Sequence, residues 1–233
     1  FVFMMSAISV VGGGFHGLML LSALTTYVPV SAAIYRDSAD AFVSILFLLG
    51  SGFVFFSTNA VRQGIAVAIV FFGFRYIWEG RFCRFAAAIL AASLFHYTAL
   101  VAFTAYLFRY GRIWIAVWWV AACLALTLFV AQETRSILTG PIAFLGSALG
   151  YASYIDAVFQ DAPRVDSGLG VMMSLLIAVG ILLVAPNWVN SRDRKLRVTS
   201  RLYLVGLLSG VGLSTFWALT RIPIYFEMAG ALF

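Results

Sequence analysis

Charge is what this sequence has least of. Only 10% of its 233 residues are charged and 63% are hydrophobic, against about 25% and roughly 45–50% in ordinary soluble domains. That balance excludes a soluble globular domain, whose core could not hide so much apolar surface. Cysteine is nearly absent: Cys83 and Cys123 stand alone, one in a short loop and one inside an apolar run. Neither a disulfide framework nor a zinc site is suggested, and both read as small hydrophobes. Only two histidines occur, His16 and His96. With no Walker loop, no GxSxG, no HExxH and no clustered His or Cys, nucleotide hydrolysis and metal chemistry lack support, and no cofactor is expected. Internal repeats and low-complexity tracts are missing too.

What the chain does have is apolar length. A transmembrane helix needs about 20 mostly apolar residues, and candidate spans fall near 14–34, 41–57, 62–78, 85–108, 113–131, 169–188 and 202–220. Residues 1–11 read as the end of another span, set off by the Gly12-Gly13-Gly14 turn. The expected fold is all-α: a polytopic transmembrane helical bundle forming one domain over 1–233. The chain opens on Phe1 and stops at Phe233 within apolar sequence, so it is expected to be an excerpt of a longer protein. Segment 132–168 differs, carrying Glu133, Arg135, Asp156, Asp161, Arg164 and Asp166 with Pro141 and Pro163. It reads as an external loop with short interfacial or re-entrant helices.

The net charge of +6 reads as topology and not as nucleic-acid binding, because Lys and Arg accumulate in cytoplasmic loops. The richest loop is 190–201. Setting it in the cytoplasm creates a conflict: if 85–108 crossed once, the basic turns on its two sides would face opposite compartments. One resolution makes 85–108 two half-helices that enter and leave on the same side and meet near His96. It leaves only Arg62, Arg135, Arg164 and Arg221 of the 15 basic residues outside. The other lets 136–151 cross, for a split of 10 to 5. The first is preferred, because 136–151 is short and broken by Pro and Gly, and irregular backbone at depth is tolerated where it lines a cavity.

Arg62 is the most informative residue. It lies between apolar flanks, where a charge is costly. On a continuing helix Asn59, Arg62 and Ala66 share a face. A helix start beside an Arg suits phosphate, while the structural reading is a snorkelling Arg after Ser57, Thr58 and Asn59 as caps. His96 is a lone imidazole, either hydrogen-bonded core or a general base or phosphate partner; His16 reads as structural. Tyr151 and Tyr154, three apart with Asp156 behind, read as interfacial anchors or as a sugar-stacking pair beside a hydroxyl acceptor. Arg221 and Tyr225 form an i,i+4 pair, with Pro223 where a helix could begin and Glu227 beyond. Carboxylate candidates outside are Glu133, Asp156, Asp161, Asp166 and Glu227.

The pieces NAVRQGIA at 59–66, AASLFHYTALV at 91–101, YASY at 151–154 and RIPIYF at 221–226 resemble the EpsG family of Wzy-like exopolysaccharide polymerases. Order and rough spacing fit across residues 40–230, without an upstream portion that such proteins usually have. The resemblance implies a GT-C-like bundle in a bacterial inner membrane. Its substrate would be an oligosaccharide on undecaprenyl diphosphate, its site would face the exterior, and other polysaccharide-synthesis or export proteins would be partners. An acceptor hydroxyl would attack the anomeric carbon and expel the lipid diphosphate. Arg62 and Arg221 would stabilise the leaving group without a metal, and His96 would take the proton or hold phosphate. Asn59 and Gln63 would orient these groups, while Tyr151, Tyr154 and Asp156 would hold sugar, with Tyr225 and Glu227 also counted among substrate-binding residues. The rival expectations are a transporter or flippase of the same lipid-linked glycan and a non-catalytic membrane scaffold.

Overall fold

The protein is seen in a computed structural model that describes residues 2–109, 176–180, 183, 186–212 and 221–233. Among these every regular element is helical. The chain divides into two compact units, one made of Phe1–Gly111, Asn187–Tyr203 and Tyr225–Phe233, the other of Arg112–Pro186 and Leu204–Ile224. The expected spans 113–131 and most of 169–188, the tail of 202–220 and the loop 132–168 lie outside the described residues.

In the first unit, α1 (Val2–Val11) and α2 (Gly14–Asp37) are separated at the glycine run. Gly12 and Gly14 take positive φ there, a conformation a side chain would strain. At about 1.5 Å per residue the 24 residues of α2 reach ~36 Å, enough to cross a bilayer core. The expected span 41–57 is bent: α3 (Ala41–Gly50) and α4 (Phe53–Asn59) meet at 56°, with Gly52 at φ 74° opening α4. A second break at Ala60 precedes α5 (Val61–Gly73), which continues through α6 (Arg75–Glu79) as a 19-residue apolar rod. By length and composition α2 and this rod can span a membrane, and the bent pair makes a third if it is one span.

Helix α5 is the centre of the unit. Ile65, Ala66, Val67 and Ala68 are each fully buried, so neighbours cover every side of it. It packs against α2, α4, α7 (Phe82–Ser93) and the 3-10 helix Tyr97–Arg109. Lipid tails give apolar side chains little reason to leave them, so association rests on close van der Waals approach and interhelical hydrogen bonds. Small residues supply the approach: a Cβ on Gly64 would sit 2.9 Å from Ser57, and one on Gly73 3.0 Å from Ala88. Hydrogen bonds supply the rest: Tyr27 to Ser57 at 2.8 Å, and Ser44 donating to the Ala231 carbonyl at 2.6 Å.

Segment 82–109 turns back on itself. Helix α7 ends at Ser93, His96 falls in the break, and the 3-10 helix returns. Its far end lies beside the start of α7, with the Tyr106 ring 5.0 Å from Phe82 and the Arg109 guanidinium over Gly80. A 3-10 helix has three residues per turn, and Ala99, Ala102, Ala105 and Phe108 are the buried positions. That spacing of three lays them along one straight ridge.

The basic stretch 190–201, expected as a loop, corrects to helix from Arg194: α8 (Pro186–Val189) is followed by α9 (Arg194–Gly212). Asp193 starts it by accepting from the Lys195 amide at 2.9 Å, an N-cap that brings the basic run into the first turns. The chain closes with α10 (Ile224–Glu227) and the 3-10 turn Met228–Leu232. Gly230 there admits the Phe47 and Tyr203 rings, within 2.9 Å of where a Cβ would stand.

Candidate functional site

The first unit has two chemically different ends. At one, Arg36 donates to the Phe72 carbonyl at 3.4 Å and stacks over its ring at 4.6 Å. Glu79 pairs with Arg75 at 2.6 Å and Arg81 at 3.3 Å, and Arg194 donates to the Trp78 carbonyl at 3.3 Å. Buried Arg201 closes the hairpin base from α9, donating to the carbonyls of Val189 (2.9 Å) and Phe108 (3.4 Å). Described residues that the charge count assigned to one side thus gather at one end of the first unit. Arg62 lies at the other, ~20 Å from Arg75 along the rod at 1.5 Å per residue.

Arg62 is exposed in the first turn of α5, and among the described residues it makes no ion pair. The shared face with Asn59 does not form, and Ala66, one turn on from Arg62 in α5, leaves no open space beside it. Helix α4 ends at Asn59, Ala60 departs from helical geometry at φ −114°, ψ 59°, and Ala66 is buried in the core. The physical cause is packing, because Gly64 presses α5 back over Ser57, and a straight helix cannot contact itself seven residues away. The expected caps are absent too: Ser57 and Thr58 turn their hydroxyls to carbonyls of their own helix at 2.9 Å. Asn59 and Arg62 are exposed on either side of the Ala60 break.

Three of the motif segments supply residues that meet at Tyr225. Its side chain is fully buried, its hydroxyl lies 3.1 Å from that of Thr98, and the Gln63 side chain lies beside it. Gln63, itself 3% exposed, follows Arg62, and Thr98 is two residues after His96. One phenol therefore ties the start of α5, the tip of the hairpin and the RIPIYF segment together. Gln63 and Tyr225 thus face each other. Thr98 was not singled out from the sequence, although a hydroxyl in an apolar run was its signal. Half-buried His96 tilts against the Tyr97 ring at 5.3 Å. Glu227 is half-buried and ends α10.

Arg221 belongs to the second unit and is exposed in the turn before α10. The helix starts at Ile224, so the expected i,i+4 pairing with Tyr225 on one helix is not formed. Tyr151, Tyr154 and Asp156 lie outside the described residues. Exposed His16 stacks edge-on against Phe15. Among the described residues no three His, Cys, Asp or Glu side chains come together.

A chain whose described elements are all helical, with bilayer-length apolar helices and three of its polar motifs meeting at Tyr225, is a membrane protein built around an internal polar junction. The EpsG family matches it over residues 1–233, and the chain belongs to that family of Wzy-like polymerases. No curated protein and no solved structure matches it.

Proposed function

We propose that the protein is a polysaccharide polymerase that moves glycan repeat units from undecaprenyl diphosphate to an acceptor glycan at the outer face of the inner membrane. The observation that carries this reading is the Gln63–Tyr225–Thr98 junction. It fixes the segments bearing Arg62 and His96 to one another at the end of the unit away from the basic cluster. With that cluster in the cytoplasm, the hairpin 82–109 enters and leaves from the inner side, and its tip points outward.

In the proposed reaction an acceptor hydroxyl attacks the anomeric carbon, a new C–O bond forms, and the bond to the lipid diphosphate breaks. The electron pair leaves on the diphosphate. Arg62, exposed and without a carboxylate among the described residues, neutralises it, since positioned cations act where negative charge develops. His96 takes the hydroxyl proton, and Asn59 orients the phosphate. Gln63, Thr98 and Tyr225 are positioning residues. Arg221, Tyr151, Tyr154, Asp156 and Glu227 are assigned to substrate on their sequence context alone. The test is purified protein supplied with lipid-linked repeat units. A ladder of products without a partner protein or added metal is expected. Folded protein that binds the lipid-linked unit and never extends it overturns the proposal.

A further inference from the structure

The basic end of the first unit holds more cations than its carboxylates can satisfy. Each of its four carboxylates is committed within the protein. Asp37 pairs with Arg36 at 2.6 Å, and Glu79 with Arg75 and Arg81. Asp40 caps α3 through the Phe42 and Val43 amides, and Asp193 caps α9 through that of Lys195. Arg84, Arg192 and Arg194 are exposed and, among the described residues, have no carboxylate. The Arg194 hydrogen bond to Trp78 holds the 192–197 run against the 78–84 turn, so cations from two distant segments share one place.

An apolar track leads away from that place. Phe82, Leu90 and Leu94 are 50%, 55% and 80% exposed, and they run along one side of α7 from its first residue to Leu94, which caps it. A basic patch with aromatic rings at the end of such a stripe matches the membrane–water boundary. It also matches an amphiphile with an anionic head and an apolar tail; an acidic protein would satisfy only the cations.

We infer that Arg84, Arg192 and Arg194 bind the phosphate of an anionic phospholipid whose acyl chain lies along the Phe82–Leu90–Leu94 stripe of α7. The phosphate-binding part of the site is independent of the polymerase reading, because it lies at the opposite end of the rod from Arg62. Its test is the thermal unfolding midpoint of the purified protein in detergent, titrated with phosphatidylglycerol, phosphatidylcholine, inorganic phosphate or polyglutamate. Phosphatidylglycerol alone raises the midpoint. Each interfacial cation contributes about fivefold in affinity, so R84Q/R192Q weakens that response about 25-fold while its midpoint in phosphatidylcholine is unchanged, and R84K/R192K retains it. An equal response to phosphatidylcholine or inorganic phosphate, or an unweakened response in R84Q/R192Q, overturns the inference. An equal response to polyglutamate assigns the patch to an acidic protein instead.

Discussion

The hydroxyls of Thr98 and Tyr225 lie 3.1 Å apart across 127 positions of sequence. That contact, made beside buried Gln63, holds the tip of the hairpin to the last motif segment by polar chemistry. Replacing Tyr225 by Phe keeps the ring and deletes the link. An unsatisfied buried polar group costs about 1–3 kcal/mol. Tyr225→Phe should therefore lower the unfolding midpoint by a few degrees and shorten the polymer made, with the protein still inserted. An unchanged midpoint and unchanged chain length would show that the link matters to neither.

Arg62 is exposed, so its removal costs the fold little. Arg62→Ala is expected to abolish chain extension at normal membrane abundance, and Arg62→Lys to recover part of it as a point charge without the guanidinium fork. Polymer length on a gel beside an immunoblot separates the two effects; normal length in Arg62→Ala would remove Arg62 from the mechanism.

Gly64 and Gly50 should respond differently to alanine. A methyl at Gly64 meets the Ser57 backbone at 2.9 Å, whereas one at Gly50 meets nothing within 4 Å. Overpacking of this kind costs about 1–3 kcal/mol. Gly64→Ala should be clearly destabilised in a thermal unfolding assay, and Gly50→Ala should match the parent within error.

Cys83 is exposed at the basic end and reports sidedness. In a Cys123→Ser background, a membrane-impermeant maleimide should label inverted vesicles and spare intact cells. Cysteine at exposed Thr58, in a protein also lacking Cys83, should show the reverse. Labelling of Cys83 from outside would invert the proposed orientation.

Much of this architecture was legible in the sequence. Long apolar runs locate α2 and the rod from Val61 to Glu79 because crossing a bilayer sets a minimum length. The break at His96 was legible indirectly, through the conflict between basic turns on either side of 85–108. A break before Arg62 was legible as well, since the candidate spans stop at 57 and resume at 62; its position at Ala60 was not, since alanine is the best helix former and the chain bends there where Gly64 packs on Ser57. The same holds at Tyr225, which showed an aromatic in an apolar span but not its partners, because pairing over such separation is decided by tertiary packing. The helical start of α9 was hidden by its charge, which suggested a loop where Asp193 supplies a cap.

The 3-10 winding of Tyr97–Arg109 sets a length as well as a ridge. At about 2.0 Å per residue its 13 residues extend ~26 Å, whereas α-helical winding at 1.5 Å would give ~20 Å. With Arg109 held over Gly80, rewinding would draw Thr98 some ~6 Å back from Tyr225. The alanines at every third position thus act as a ruler, and the depth of His96 is measured out by the pitch of the coil that carries it.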